Sequence, residues 1–282
     1  LTNNTTANYN VAVGGNSLRD NTTGTQNVAV GTSALANNET ANANTALGHS
    51  ALETNTTGSQ NVAVGSLAGD AITTGSNNTA LGFEAAGKLT TGADNVAVGR
   101  AALLDSTTHS GNVAIGVEAL ENNTADENVA VGKQALNDNT SGNSNTSIGS
   151  FSLTKNTTAA NNSALALNTE GHSNTAVGLY SMACNTTGDA NISIGYEALL
   201  NNTTANSNVA IGLQAVRTNT TGTANTAVGK SALYANTTAD NNTAIGFCSL
   251  KSNTTADNNT SVGAFALCAN TTGFGTAVGY GA

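Results

Sequence analysis

Asparagine followed by two threonines recurs along this chain, at Asn21, Asn55, Asn156, Asn185 and Asn219 among other places. Asn-x-Thr is the acceptor pattern for N-linked sugar, which makes these five amides candidate glycosylation points. The same amide turned inward carries both a donor and an acceptor, and can instead bond to its copy in a neighbouring repeat. The residues themselves leave both readings open.

Other chemistry is thinner. His49, His109 and His172 are too dispersed to form a metal or catalytic cluster. The carboxylates fall at unrelated positions, so no acid–base pair can be assembled from spacing. The glycines lack the following helix and Lys-Ser/Thr pair of a phosphate loop. Cys184, Cys248 and Cys268 make no disulfide framework in 282 residues. The expectation is a protein that is not an enzyme and holds no cofactor or metal. The paired threonines form a hydroxyl array reminiscent of ice-binding solenoids, which however alternate Thr along a flat strand, whereas here the two are adjacent.

Composition narrows the partners. Charged residues are 9% of the chain, net charge is −9 and the pI is near 4.5. An acidic chain argues against a nucleic-acid partner or an acidic membrane surface. No run approaches the ~18 apolar residues of a membrane helix. The chain begins at Leu1 rather than Met, as a processed chain or a piece of a longer one would.

What positions all these residues is a repeat. Asn-Val-Ala-Val-Gly at Asn10–Gly14 returns with its glycine at Gly14, Gly31, Gly48, Gly65, Gly82, Gly99, Gly116, Gly132, Gly149, Gly178, Gly195, Gly212, Gly229, Gly246, Gly263 and Gly279, with Ala166 in the one divergent place. Thirteen of the sixteen gaps are 17 residues and the others 16, 12 and 16. A fixed short period is the signature of a solenoid. The reading is an all-β solenoid, a single continuous domain over residues 1–282, of about seventeen coils.

Four residues before each glycine stands Asn: Asn10, Asn27, Asn44, Asn61, Asn78, Asn95, Asn112, Asn128, Asn145, Asn162, Asn174, Asn191, Asn208, Asn225, Asn242 and Asn259, with Gly275 in the last coil. Merely turn-friendly positions would mix in Asp, Ser and Gly, so this column predicts a structural ladder of stacked amides. Three strand residues follow: a β-branched residue or Ser, then Ala or Ser, then an aliphatic. None of the three columns admits a charge, which predicts that both faces of the sheet are covered. The glycine turns the chain, by positive φ or close backbone approach. An Ala-Leu pair, as at Ala34–Leu35, reads as a second short strand whose leucine meets the aliphatic column inside the coil. Pro is absent, as suits a stack in which nearly every strand is central. Gly or Asn-Thr-Thr interrupts every apolar pair too soon for a helix.

Two stretches break the pattern. Between Gly65 and Ser106 the corner Asn gives way to Ile72, Leu89 and Ser106, while Gly69 and Ala86 replace the leucine. Around Leu167–Ser173 a coil loses five residues, and L-N-T-E-G-H-S stands where Ala-Leu and the corner belong. Such breaks are candidate binding patches or tolerated bulges.

The unit N-V-A-V-G-x-x-A-L, at Asn27–Leu35 and Asn225–Leu233, resembles the head repeats of trimeric autotransporter adhesins. With N-T-T-G appended it is similar to repeats of phage tail fibres and of large surface fibres. The resemblance implies an extracellular, cell-surface or virion-surface location. It also implies a structural or adhesive role, a surface glycan or host receptor as ligand, and lateral trimerisation. The chain shows no heptad stalk, membrane anchor or chaperone domain. Ala282 occupies the Ala column and Leu1 the Leu column, so copies placed head to tail keep the 17-residue period. With Asn4 and Val278 these residues are the expected end-to-end interface of a filament.

Overall fold

The computed structural model describes residues 3–162, 168–178 and 180–282. It is all-β, with sixteen three-residue strands, β1 (Val11–Val13) to β16 (Thr276–Val278), and no helix among the described residues. The chain forms two compact units, Leu1–Thr154 and Lys155–Ala282. The first holds a parallel sheet of nine strands in sequence order, ending at β9 (Thr146–Ile148). The second holds seven, from β10 (Thr175–Val177) to β16. The pairing is one coil out throughout, as Val28↔Thr45 and Ala29↔Ala46 show. A one-residue deletion is absorbed between β7 (Val113–Ile115) and β8 (Val129–Val131), where Val113 still pairs with Val129. Each coil is therefore one turn of a β-solenoid. The strand expected just before Ala166 falls on residues 163–167, outside the described residues.

The middle strand residue points inward: Ala29, Ala46, Ala63 and Ala97 are fully buried. Where this column carries Ser, the hydroxyl crosses the coil to the backbone beside the leucine, as Ser193 Oγ to the Ala198 carbonyl at 2.8 Å and Ser261 Oγ to that of Ala266 at 2.7 Å. The interior is one small residue plus one leucine wide, which is why the column tolerates nothing larger.

The aliphatic column is not in that interior. Leu47 and Leu81 are nearly half exposed and Ile148 is 64% exposed, so the expected meeting of leucine and aliphatic inside the coil does not occur. Alternation fixes the reason: Asn and Ala share one parity and go in, which sends the first and third strand residues out. In each single chain the outer face is bare, not covered.

Nor is Ala-Leu a strand. The leucines sit in left-handed backbone, Leu35 at φ 50° and Leu52 at 51°, as do residues two before them such as Ser33 at 59°. The backbone still bonds coil to coil, Leu35 N–H to the Ala51 carbonyl at 3.0 Å and Ser33 N–H to that of Gly15 at 2.8 Å. A left-handed L-residue costs about 1–2 kcal/mol. Full burial of the leucine contributes about 1.5–3 kcal/mol in return.

The turn glycine is needed on both expected grounds. Gly14 has φ 128°, and a Cβ there would stand 2.6 Å from the Gly31 carbonyl oxygen of the next coil. The other described turn glycines repeat the positive φ.

Candidate functional site

The polar side chains line the coils as three parallel ladders. In the first, each strand-leading Asn accepts, through Oδ1, the backbone N–H of its successor: Asn27 to Asn10, Asn44 to Asn27 and Asn208 to Asn191, each at 2.9 Å. Its Nδ2 donates to the corner carbonyl of its own coil, Asn27 to Ala41 and Asn61 to Gly75, both at 2.8 Å. Most contacts thus run from side chain to backbone, and amide–amide bonds such as Asn95 Nδ2 to Asn78 Oδ1 at 3.0 Å are additional. The run extends from Asn10 to Asn145 in the first unit, and from Asn162 to Asn259 in the second, where Gly275 N–H takes the last acceptor at 2.6 Å.

The corner asparagines make the second ladder. Asn38 Nδ2 donates to Asn21 Oδ1 at 2.8 Å, and Asn55 to Asn38 at 3.0 Å. Asn185, Asn202 and Asn219 continue it in the second unit at 2.8 and 3.0 Å. Asn21, Asn55, Asn156, Asn185 and Asn219 are all fully buried. Each Nδ2 also donates to a corner carbonyl, as Asn219 does to Gly222 at 2.8 Å. In the folded chain a sugar at any of these five has no space and no free nitrogen. The inward reading of the corner amide is the one the geometry takes.

The third ladder escaped the sequence reading. One residue past the corner glycine or alanine, a short side chain caps the backbone N–H of the preceding coil: Asn42 Oδ1 on Thr25 at 2.7 Å, Ser59 Oγ on Asn42 at 3.1 Å, Asp240 Oδ1 on Thr223 at 2.6 Å, Asp257 Oδ1 on Asp240 at 2.8 Å. The signal was there as shared chemistry rather than shared identity, since Asn, Ser, Thr and Asp all place an acceptor near their own backbone. The first corner threonine adds a fourth contact, its hydroxyl donating to the next coil, as Thr56 to Thr73 at 3.1 Å and Thr220 to Thr237 at 3.0 Å. In coils such as those of Thr56 and Thr220 the first threonine is half-buried and the second, Thr57 or Thr221, is exposed.

The first irregular stretch turns out to be internal. Ile72 and Leu89 are buried where corner amides stand elsewhere, and Gly69 and Ala86 supply the missing space. A Cβ on Gly69 would lie 3.0 Å from Ile72 Cδ1 and 3.2 Å from Leu52 Cδ2. The apolar bulk has moved across the coil. The interruption leaves Asn55 Oδ1 and Ser106 Oγ buried without hydrogen-bond partners. In the short coil Leu167 lies outside the described residues, but Asn168 is itself a ladder corner, bonded to Asn185 Nδ2 at 2.7 Å. His172 there acts as a cap, Nδ1 accepting Ala160 N–H at 3.1 Å.

At the chain ends, Leu1 lies outside the described residues. Asn4 is exposed and closes its own turn with Ala7, at 3.1 and 3.0 Å. Val278 is exposed on β16, and the Ala282 carbonyl accepts Leu267 N–H at 2.8 Å, in phase with the Ala column. Cys184, Cys248 and Cys268 are free thiols. Among the described residues no group of three His, Cys, Asp or Glu is placed to hold a metal ion.

Electrostatic perturbations are local. Gln134 and Arg100 hold the Glu118 carboxyl below its ordinary range, and Gln214 and Arg217 do so for Glu197. Partial burial, with Glu53 and Glu84 nearby, pushes Asp70 up. A shallow open recess of about 420 Å³ is lined by Asp94, Thr108, Ser110, Gly111, Asp126 and Glu127. No family profile, curated protein or solved structure matches the chain.

Proposed function

We propose that this protein is a structural subunit, the shaft of an extracellular or surface fibre. The observation that carries the reading is where the polar chemistry goes. The inward amides, the first corner threonine and the capping column bond one coil to the next, which leaves the repeat as a scaffold whose product is its own regularity. The likeness of N-V-A-V-G-x-x-A-L to fibre and adhesin repeats supports the surface location. Further coils, in the same chain or another, extend such a shaft by taking up the backbone groups of an outer strand.

The test is location together with ligand. An antibody to the chain is expected to label fibres on the surface of producing cells or virions. Label confined to the cell interior overturns the reading. The purified chain is expected to give no saturable binding on a glycan array or on intact host cells. Saturable binding abolished by a substitution in one coil would make it an adhesin instead, and depression of the freezing point an ice-binding protein.

A further inference from the structure

The caps of the third ladder are short side chains, with one exception. Asn42 on Thr25, Ser59 on Asn42, Asp126 on Ser110 and Asn206 on Asp189 each hold a backbone N–H of the preceding coil. His172 is the single ring among these caps in the described residues, its Nδ1 accepting Ala160 N–H at 3.1 Å. A backbone N–H only donates, so this bond requires the neutral ring with its proton on Nε2. An imidazolium has two donors and no acceptor. Asn and Ser do not titrate, and a protonated carboxyl keeps an acceptor oxygen, so no other cap can lose its function this way. The backbone carrying the ring is anchored to the coil after it: His172 N–H donates to Asp189 Oδ1 at 2.7 Å, and the His172 carbonyl accepts Ala190 N–H at 2.9 Å.

The bonds on the other side of His172 are longer than their counterparts one coil on. Ser173 N–H reaches the Ala160 carbonyl at 3.2 Å, against 2.9 Å for Ala190 to His172. Asn168 Nδ2 lies 3.4 Å from Asn156 Oδ1, against 2.7 Å for Asn185 to Asn168. Thr157 Oγ1 lies 3.3 Å from the Thr169 carbonyl, against 3.1 Å for Thr169 to Thr186. The histidine cap therefore stands where the corner is held least tightly. The charged groups around the ring are few. The preceding corner, residues 158–161, is Thr, Ala, Ala and Asn, with Lys155 ahead of the buried Asn156. Glu170 lies on the same coil as the ring, and Asp189 on the next.

We infer that His172 makes this corner a pH-sensitive joint. With the ring neutral, it closes residues 158–161 onto the coil that follows. With the ring protonated, two donors face each other across the same gap and the corner opens. Imidazole is the side chain that changes charge between about pH 5 and 8, so mild acid works the joint while the amide, hydroxyl and carboxylate caps around it stay closed. The joint lies wholly within the second unit, Lys155–Ala282. It stands independently of the shaft reading.

Nuclear magnetic resonance of the full chain between pH 8 and 5 tests it. At pH 8 the His172 ring is expected to carry its proton on Nε2, and a proton on Nδ1 there overturns the proposal. Amide exchange, corrected for the intrinsic effect of pH, is expected to show protection at Ala160 falling roughly three- to tenfold across the range, as one lost hydrogen bond allows. Protection at Asp189 and Thr223, capped by Asn206 and Asp240, is expected to stay level. His172→Asn supplies the cap found in other coils and is expected to hold Ala160 protected at both ends of the range. Asp189→Asn with Glu170→Gln removes the nearby carboxylates, keeps an acceptor for His172 N–H, and is expected to leave the step in place. Level protection at Ala160 in the native chain, an equal fall at all three amides, or a step that survives His172→Asn overturns the joint. So does a step that vanishes with the two carboxylates. None of those results bears on surface location or ligand, which the shaft reading answers to.

Discussion

Asn208 is the place to test the inner ladder, because one side chain there makes bonds of known direction to two coils. Its Oδ1 accepts Asn225 N–H at 2.9 Å and Asn225 Nδ2 at 3.2 Å, and its Nδ2 donates to the Gly222 carbonyl at 2.9 Å. Asn208→Ala strands the buried Asn225 N–H, while the Gly222 carbonyl keeps Asn219 Nδ2. One orphaned donor and one lost net bond come to about 2–4 kcal/mol. Asn208→Asp keeps the acceptor but turns the donor into an oxygen facing that carbonyl, and buries a charge, so at pH 7 it is expected to cost more than Ala. Burial and the facing carbonyl raise the folded-state pKa of the new carboxyl above its unfolded value near 3.9. A raised pKa means stability is greatest below the unfolded value and is lost as pH climbs through the folded one. The protonated form donates its O–H to Gly222, so the Asp variant should overtake the Ala variant in acid. The assay is urea unfolding followed by circular dichroism from pH 3 to 8, with hydrogen exchange at Asn225 reporting the local coil. If Asp is no worse than Ala at neutral pH and gains nothing in acid, the amide donor is not used as described.

Gly195→Ala, at φ 138° with a Cβ 2.6 Å from the Gly212 carbonyl oxygen, should lower the urea midpoint sharply, whereas Gly15→Ala, with open space around it, should change stability by less than about 0.5 kcal/mol. Ile72→Asn alone should cost about 2–4 kcal/mol by opening a cavity. With Gly69→Leu added, the common repeat is restored and much of that loss should return, and an additive double variant would sink the idea of displaced bulk. Asp70 has a raised carboxyl, so wild-type stability is depressed above its folded-state pKa. Asp70→Asn should exceed wild type in urea midpoint at pH 7, with the gap closing as pH falls. Secreted from a host with glycosylation machinery, chain that folds should carry no sugar at Asn185 or Asn219, as peptide mass mapping would show.

The period, the turn glycine and the leading asparagine were legible in the sequence because each answers to a local demand. A carbonyl within 2.6 Å excludes any Cβ at Gly14, and only an amide can accept at Oδ1 while donating at Nδ2, as Asn27 does. What the tertiary structure decided was which way things face. Alternation says that Val28 and Val30 lie opposite Ala29, but with all three apolar it does not say which side is the inside. Closing the coil settles it, since Asn27 must reach the Ala41 carbonyl across the interior and Ala29 shares its parity. The corner amides were ambiguous for the same reason, because an exposed sugar acceptor and a buried ladder rung are the same three letters until the coil closes around them. Leucine in left-handed backbone could not be read at all. The conformation is unfavourable for the residue alone, and only stacking, which bonds Leu35 to Ala51 and buries its side chain, makes it the lower state.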